Sequence, residues 1–171
     1  MSRLFRYCPR CGQPLPTPPA EPARVAAQAC SECGTVHYRN ASPGASGLVT
    51  RADRVLLARR AHEPWKGWWY LPGGFLDPWE HPTEGVRREV WEETGLDVRP
   101  THLLGVFVDR YGAEREYLLN IYYAVEIIGG ELQRSNEVAE LRWFHADALP
   151  DQIAFAGARQ VLEQWRSQLA S

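Results

Sequence analysis

The sequence predicts an α+β sandwich preceded by a small cysteine-bearing unit. Two observations carry that expectation. Segments rich in β-branched and aromatic residues recur along the chain with only two helical patterns among them, and all four cysteines fall in the first 33 residues as two equally spaced pairs. The length of 171 residues, 44% hydrophobic and 23% charged, suits one domain with a small appendage and excludes disorder as a description of the whole. We expect units at 1–40 and 41–171.

The first element is the cysteine unit. Cys8-Pro-Arg-Cys11-Gly and Cys30-Ser-Glu-Cys33-Gly are C-x2-C pairs separated by 18 residues, a zinc-ribbon spacing. Two thiolates three positions apart on a tight turn reach one metal, and a following Gly permits the positive φ such a turn requires. Four thiolates leave no open coordination position, which makes a Zn²⁺ held there structural. A disulfide pair, a redox C-x-x-C and a rubredoxin-like iron site are the rival readings. The absence of an apolar signal segment in Met1–Tyr7 argues against disulfides and makes the cytoplasm the expected location. Between the pairs, Gln13–Pro22 holds five prolines and reads as an extended loop. A unit this small cannot support itself by core burial, so the metal substitutes for a core.

Net charge is −2, so no global field recruits nucleic acid or an anionic membrane, and no apolar run reaches the roughly 18 residues of a bilayer span. Residues 1–40 carry a surplus of three positive charges without a stripe, which argues against nucleic acid as a partner for the ribbon.

After Tyr38 the pattern changes. Ala45–Arg51 and Arg54–Arg60 read as strands joined by a turn at Ala52-Asp53. Leu103–Val108, Tyr117–Ile127 and Leu141–His145 are further strands, and Gly129-Gly130 a turn. Pro82–Thr94 is a helix with Pro82 at its first position, Glu84 in its first turn and Gly95 as its stop. A second helix is expected from Phe155 to Leu169. Five of the seven tryptophans, Trp65, Trp68, Trp69, Trp79 and Trp91, fall in one stretch, which marks that stretch for a site.

Within the first helix, Glu89, Glu92 and Glu93 share an arc roughly 100° wide, while Val86 and Val90 lie to one side and can anchor it on a sheet. Like charges so spaced destabilise a helix by a few tenths of a kcal/mol. A cation reverses that sign, and all-oxygen ligands favour Mg²⁺ or Mn²⁺. Arg88 can hold a carboxylate bidentately. A solvated acidic face is the competing reading of the glutamates alone.

Gly74, five residues, Glu80, seven residues, then Arg88-Glu89-Val90-Trp91-Glu92-Glu93-Thr94-Gly95-Leu96 resembles the Nudix box at every fixed position; a chance match is on the order of 10⁻⁷. The approach Gly67-Trp68-Trp69-Tyr70-Leu71-Pro72-Gly73 is also similar to the family's. The resemblance covers roughly Ala45–Leu149. It implies an α/β/α sandwich around a mixed sheet and metal-dependent hydrolysis of a nucleoside diphosphate linked to another group. By the family pattern Glu89 and Glu93 ligate the divalent cation, Glu92 assists, the carbonyl of Gly73 is a further ligand, and Arg88 and Glu80 orient helix and loop. A later acidic residue serves as ligand or base, for which Glu137 is the best match and Glu140 the second.

A zinc ribbon before such a domain is similar to NADH pyrophosphatases and to related ADP-ribose or FAD pyrophosphatases. The S-Q-P-W-P-F-P motif of the NADH group is missing from Leu103–Tyr111, which argues against NADH specificity. The proline that ADP-ribose hydrolases often carry near there is missing too, while Tyr111 stands near a tyrosine of diadenosine polyphosphate hydrolases. The expected substrate is a small-molecule nucleotide of ADP-ribose, FAD or NAD(H) type. The resemblance makes Tyr38, Trp69 and Phe155 candidates for ring stacking, with core packing as the alternative for each. It allows a homodimer, with Trp65, Trp68, Trp79 and Trp91 open to interface or pocket. A metabolite-sensing regulator whose ribbon contacts nucleic acid or protein is the alternative function, and the complete glutamate set speaks against it. Replacing Glu93 with Gln is expected to cut kcat by roughly 10²–10⁴ with an unchanged circular dichroism spectrum; near-wild-type turnover sinks the assignment.

Overall fold

The computed structural model describes residues 5–16, 27–38, 40–111 and 116–170. Positions 17–22 of the proline-rich stretch, with Arg3, Arg24 and Arg39, lie outside them. The chain forms two compact units, Met1–Ser42 and Pro43–Ser171.

In the first unit the two cysteine turns repeat one design. Gly12 N–H donates to the Cys8 carbonyl at 2.8 Å and Gly34 N–H to the Cys30 carbonyl at 3.0 Å, with φ of 75° and 71° at the two glycines, a conformation that costs other residues a steric penalty. β1 (Ala27–Ala29) and β2 (Val36–Tyr38) form an antiparallel hairpin in the register Ala27 to Tyr38. Three-residue strands are too short to show an alternating pattern, and the sequence reading did not mark them. Buried Gln28 closes the unit by pairing with both backbone groups of Phe5, each at 2.9 Å.

The second unit is built on a mixed sheet. β3 (Ser42–Arg51) and β4 (Arg54–Arg60) form the expected hairpin about Ala52-Asp53. β5 (Trp69–Tyr70) and β6 (Gly73–Phe75) are short, and α1 (Pro82–Thr94), β7 (Leu96–Tyr111), β8 (Glu116–Gly130), β9 (Val138–His145) and α2 (Ala156–Leu169) follow. The order is β5-β4-β3-β8-β7, with β6 also on β3 and β9 also on β4; a parallel bridge joins Trp69 to Ile153. β7 begins seven residues before the expected Leu103 because its ladder with β8 runs on through Pro100, whose neighbourhood shifts register. That proline and the charged Asp97 and Arg99 mask the strand pattern. Gly129 and Gly130, expected as a turn, end β8 opposite Asp97 and Leu96.

β4 explains the layering. Val55-Leu56-Leu57-Ala58 is fully buried, the continuous apolar run of a strand covered on both faces. Leu56 joins Ala45, Val49 and Val98 beneath Val86 and Val90 of α1. Val55 and Leu57 join Leu48 and Tyr122 beneath Ala158, Val161, Leu162 and Trp165 of α2. Full burial of Val86 and Val90 contributes about 1.5–3 kcal/mol each, and so settles which face α1 turns to solvent. The expected α/β/α sandwich follows. No helix among the described residues is long and apolar enough to cross a membrane.

Both ends of α1 are closed locally. His81 caps it, its ring nitrogen accepting from Thr83 N–H while the Glu84 carboxylate accepts from His81 N–H, which satisfies two of the three backbone N–H groups that the helix start leaves unpaired, Pro82 having none. Gly95, at φ 71°, donates to the Trp91 carbonyl at 2.8 Å, and a Cβ there would stand 2.4 Å from the Glu131 carbonyl oxygen. Gly95→Ala is expected to cost about 2 kcal/mol or more, read as a lower denaturant midpoint.

Candidate active site

The site is built where α1 crosses β6. Gly74 on β6 pairs with Ala45 on β3, and a Cβ on Gly74 would lie 2.4 Å from the Glu89 carboxylate. The missing side chain lets a helix carboxylate rest directly on the strand. Arg88 then ties helix, loop and strand together. Its Nε and one terminal nitrogen grip Glu80 at 2.8 and 2.9 Å. The same terminal nitrogen donates to the Phe75 carbonyl at 3.1 Å, and the other donates to Glu89 at 2.8 Å and Glu92 at 3.1 Å. Those five bonds use the five N–H donors of a guanidinium. The Arg88 hydrogen bonds hold the Glu80 carboxyl well down, to about 2, and its carboxylate partners raise Arg88 above its ordinary value.

Glu93 sits one turn beyond Glu89 and is buried. Tyr70 Oη donates to its Oε1 at 2.5 Å and Gly73 N–H to its Oε2 at 3.0 Å. Burial pushes its pKa up to about 8 against the lowering effect of those bonds, with Glu89 and Glu137 adding repulsion. Burial also raises Glu89, and burial together with Glu93 raises the Tyr70 phenol. Burial thus disfavours the charged form of both carboxylates in the protein alone.

The two glutamates open on a cleft of about 260 Å³ that Glu137 also lines. Gly44, Ser46, Gly73 and Gly74 contribute backbone and small side chains, and Arg60, Tyr111, Asn120 and Phe155 stand around the space. The Phe155 and Tyr111 rings are nearly parallel, 8° apart with centroids at 6.5 Å, and Trp65 meets both edge-on at 5.2 and 5.7 Å. Arg60 donates to Tyr111 Oη at 3.2 Å and to the Pro64 carbonyl at 2.6 Å.

The structure thus brings Glu89, Glu93, Glu137, Gly73 and Phe155 to one cleft. Glu92 is exposed and engaged by Arg88 at the helix surface, outside the cleft lining. Glu140 pairs with Arg59 and Arg142. Trp69 corrects the sequence reading: its ring is buried in the core, edge-on to Phe144 at 4.7 Å, because β5 turns Trp69 toward the α2 face and neighbouring Tyr70 toward Glu93. Tyr38 is exposed on β2 of the first unit. The tryptophans do not form one site: Trp79 and Trp91 are exposed, and Trp65 and Trp68 pack beside Tyr70. The sequence reading missed Tyr70, Arg60 and Asn120. Tyr70 lay within the quoted approach to the box, and Arg60 ends an apolar strand, but no spacing rule marks Asn120.

In the first unit, Sγ of Cys8 and Cys33 are 3.7 Å apart and those of Cys11 and Cys30 3.5 Å, and all four sulfurs lie within 4.8 Å of one another. Tetrahedral Zn–S bonds of about 2.3 Å place sulfurs about 3.8 Å apart, so the cluster fits zinc and is too open for disulfides. Among the described residues no other group of three or more His, Cys, Asp or Glu side chains brings its ligand atoms so close together. The glutamates and Glu137 form a looser, all-oxygen set, which in donor type fits a hard cation that keeps bound waters.

Fold, box helix and cleft define a class, and the chain belongs to the NUDIX domain family, whose model matches residues 41–165. Among curated proteins it is similar to the NAD-capped RNA hydrolase NudC of Stutzerimonas stutzeri, 34% identical over 85% of this chain and 50% of that protein. It is also similar to the ADP-ribose pyrophosphatase of Methanocaldococcus jannaschii, 34% identical over 75% of this chain and 76% of that one. The chain therefore spans about half the length of the first of these relatives. In fold it resembles a crystal structure of a NUDIX hydrolase from Nitrosomonas europaea, with a TM-score of 0.79 and 24% identity over 96% of this chain and 92% of that one.

Because Glu80 has a folded pKa near 2 against an ordinary 4.5, its charge contributes stability that is present above about pH 4.5 and is lost as pH falls toward 2. Glu80→Gln is expected to lower the melting temperature at pH 7 and to differ progressively less from wild type between pH 4.5 and 2. A constant offset across that window contradicts the ion pair's role.

Proposed function

We propose that the chain is a metal-dependent pyrophosphohydrolase that cleaves the diphosphate of a nucleoside diphosphate derivative, of dinucleotide or ADP-sugar type. The observation that carries this is the cleft itself: α1 delivers Glu89 and Glu93 to one side, Glu137 joins them, and a basic and aromatic wall completes the space. The names of the two curated relatives support the substrate class, since an NAD cap and ADP-ribose share an adenosine diphosphate joined to a second ribosyl group.

In this reading Glu89, Glu93 and the Gly73 carbonyl hold Mg²⁺ or Mn²⁺, with Glu92 assisting from the helix surface. The cation supplies charge neutralisation at the diphosphate and acidifies a water. The residues do the rest. Arg88 keeps Glu89 aimed into the cleft while pairing it against like charge. Tyr70 and Gly73 hold both oxygens of Glu93, so that its carboxylate keeps one orientation. Glu137, exposed on the loop before β9, is free to take a proton from the attacking water. Arg60 meets phosphate charge, and Phe155 with Tyr111 offers faces to a planar ring. The four cysteines hold structural zinc, so that 1–40 is a zinc ribbon and 41–171 the hydrolase domain.

The test is incubation of the purified protein with Mg²⁺ or Mn²⁺ and FAD, NADH, ADP-ribose, diadenosine polyphosphates and nucleoside triphosphates, with products resolved by chromatography. AMP release from an ADP-type compound well above the others, abolished by chelator, is expected. No product from any compound, with metal binding confirmed, overturns the proposal.

A further inference from the structure

We propose that Asn120 is a specificity-determining residue, its side-chain carbonyl held toward the cleft by Asp109 to accept a hydrogen bond from an N–H or O–H of the substrate. The inference rests on the reading of this cleft as the substrate site. Asn120 lies on β8 and is 6% exposed, yet it lines the cleft. Its Nδ2 donates to Asp109 Oδ2 at 2.7 Å. Asp109, on β7 and itself 5% exposed, accepts Gly157 N–H at its other oxygen at 3.1 Å.

That arrangement settles which way the amide faces. A carboxylate only accepts, so a reversed amide would set its oxygen against Asp109 at the same short distance. Asp109 cannot turn away either, because it caps α2, whose own N-cap residue Phe155 makes no side-chain cap bond. The Asn120 oxygen is therefore directed elsewhere, and it lies 3.2 Å from the place a Cβ on Gly44 would take. Among the described residues no donor reaches it. No buried side-chain nitrogen or oxygen there lacks a partner, so this oxygen is open to solvent, and the opening is the cleft. A neutral acceptor so placed, near Gly74 and the Glu89 carboxylate, reads a donor without adding negative charge beside a diphosphate. A ribose hydroxyl and the amino group of a base both carry such a donor.

The test is calorimetric binding of AMP, 2′-deoxy-AMP, 3′-deoxy-AMP and IMP to wild type, Asn120→Leu and Asp109→Asn. Wild type is expected to bind AMP about five- to tenfold more tightly than one of the three analogues. A deoxy analogue as the weak binder identifies the ribose, and IMP identifies the base amino group. Asn120→Leu should bind AMP more weakly by the same factor and lose the discrimination; Asp109→Asn should reduce it with Asn120 still present, which a purely structural role does not predict. Equal binding of all four by wild type overturns the inference, as does full discrimination in folded Asn120→Leu. If the leucine variant does not fold, full discrimination in Asp109→Asn overturns it. AMP binding with this discrimination, but no turnover of any dinucleotide, upholds the inference and overturns the proposed activity. Failure to bind any of the four overturns the inference as well.

Discussion

The Arg88 guanidinium is the interaction on which the rest of the site depends. Three helix glutamates within one arc repel one another, and a hydrophobic anchor alone does not decide how they point. Arg88 answers both problems with one planar group. Its fork on Glu80 fixes the loop before α1, its bond to the Phe75 carbonyl fixes β6, and its remaining donors pair Glu89 and Glu92. A lysine at this position has three donors on a flexible stem and cannot span that geometry.

The neighbouring carboxylates are treated unequally. Glu92 is left in solvent with an i, i+4 partner. Glu93 is buried, with Tyr70 and Gly73 occupying both its oxygens. Glu89 is intermediate, pressed onto a glycine whose side chain would collide with it. One helix turn thus grades from surface charge to strongly desolvated carboxylate. The gradient follows from Val86 and Val90, whose burial on the sheet rotates Glu93 inward and Glu92 outward.

The opposite layer contributes through a second buried acidic side chain. Asp109 joins the end of β7 to Asn120 on β8 and to the first turn of α2. Burial of Tyr122 beside Asp109 raises its phenol, and its oxygen meets the backbone of Ala158 in the same turn. Phe155, at the head of that helix, is carried to the cleft edge as a consequence. The aromatic wall thus rests on this polar connection beneath Phe155 as well as on the contacts of Phe155 with Trp65 and Tyr111.

Much of this was legible in the residues. The cysteine spacing, the β3–β4 hairpin, both helices and the box glutamates are local patterns, written in periodicities of two and 3.6 residues and in cap residues. Of the two later acidic candidates, Glu137 lines the cleft and Glu140 is paired with Arg59 and Arg142. The sequence could not reveal the early start of β7, which a proline and bulges conceal, or the burial of Trp69. Composition fitted either a ring-stacking face or a core ring there, and the pleat of a two-residue strand decided it. By itself the sequence determined the longer elements and the family pattern, because those depend on neighbours close along the chain. Only the tertiary structure decided which carboxylate is buried, which aromatics face the cleft and which end of its amide Asn120 turns to Asp109, because each depends on groups distant in the chain meeting across the sheet.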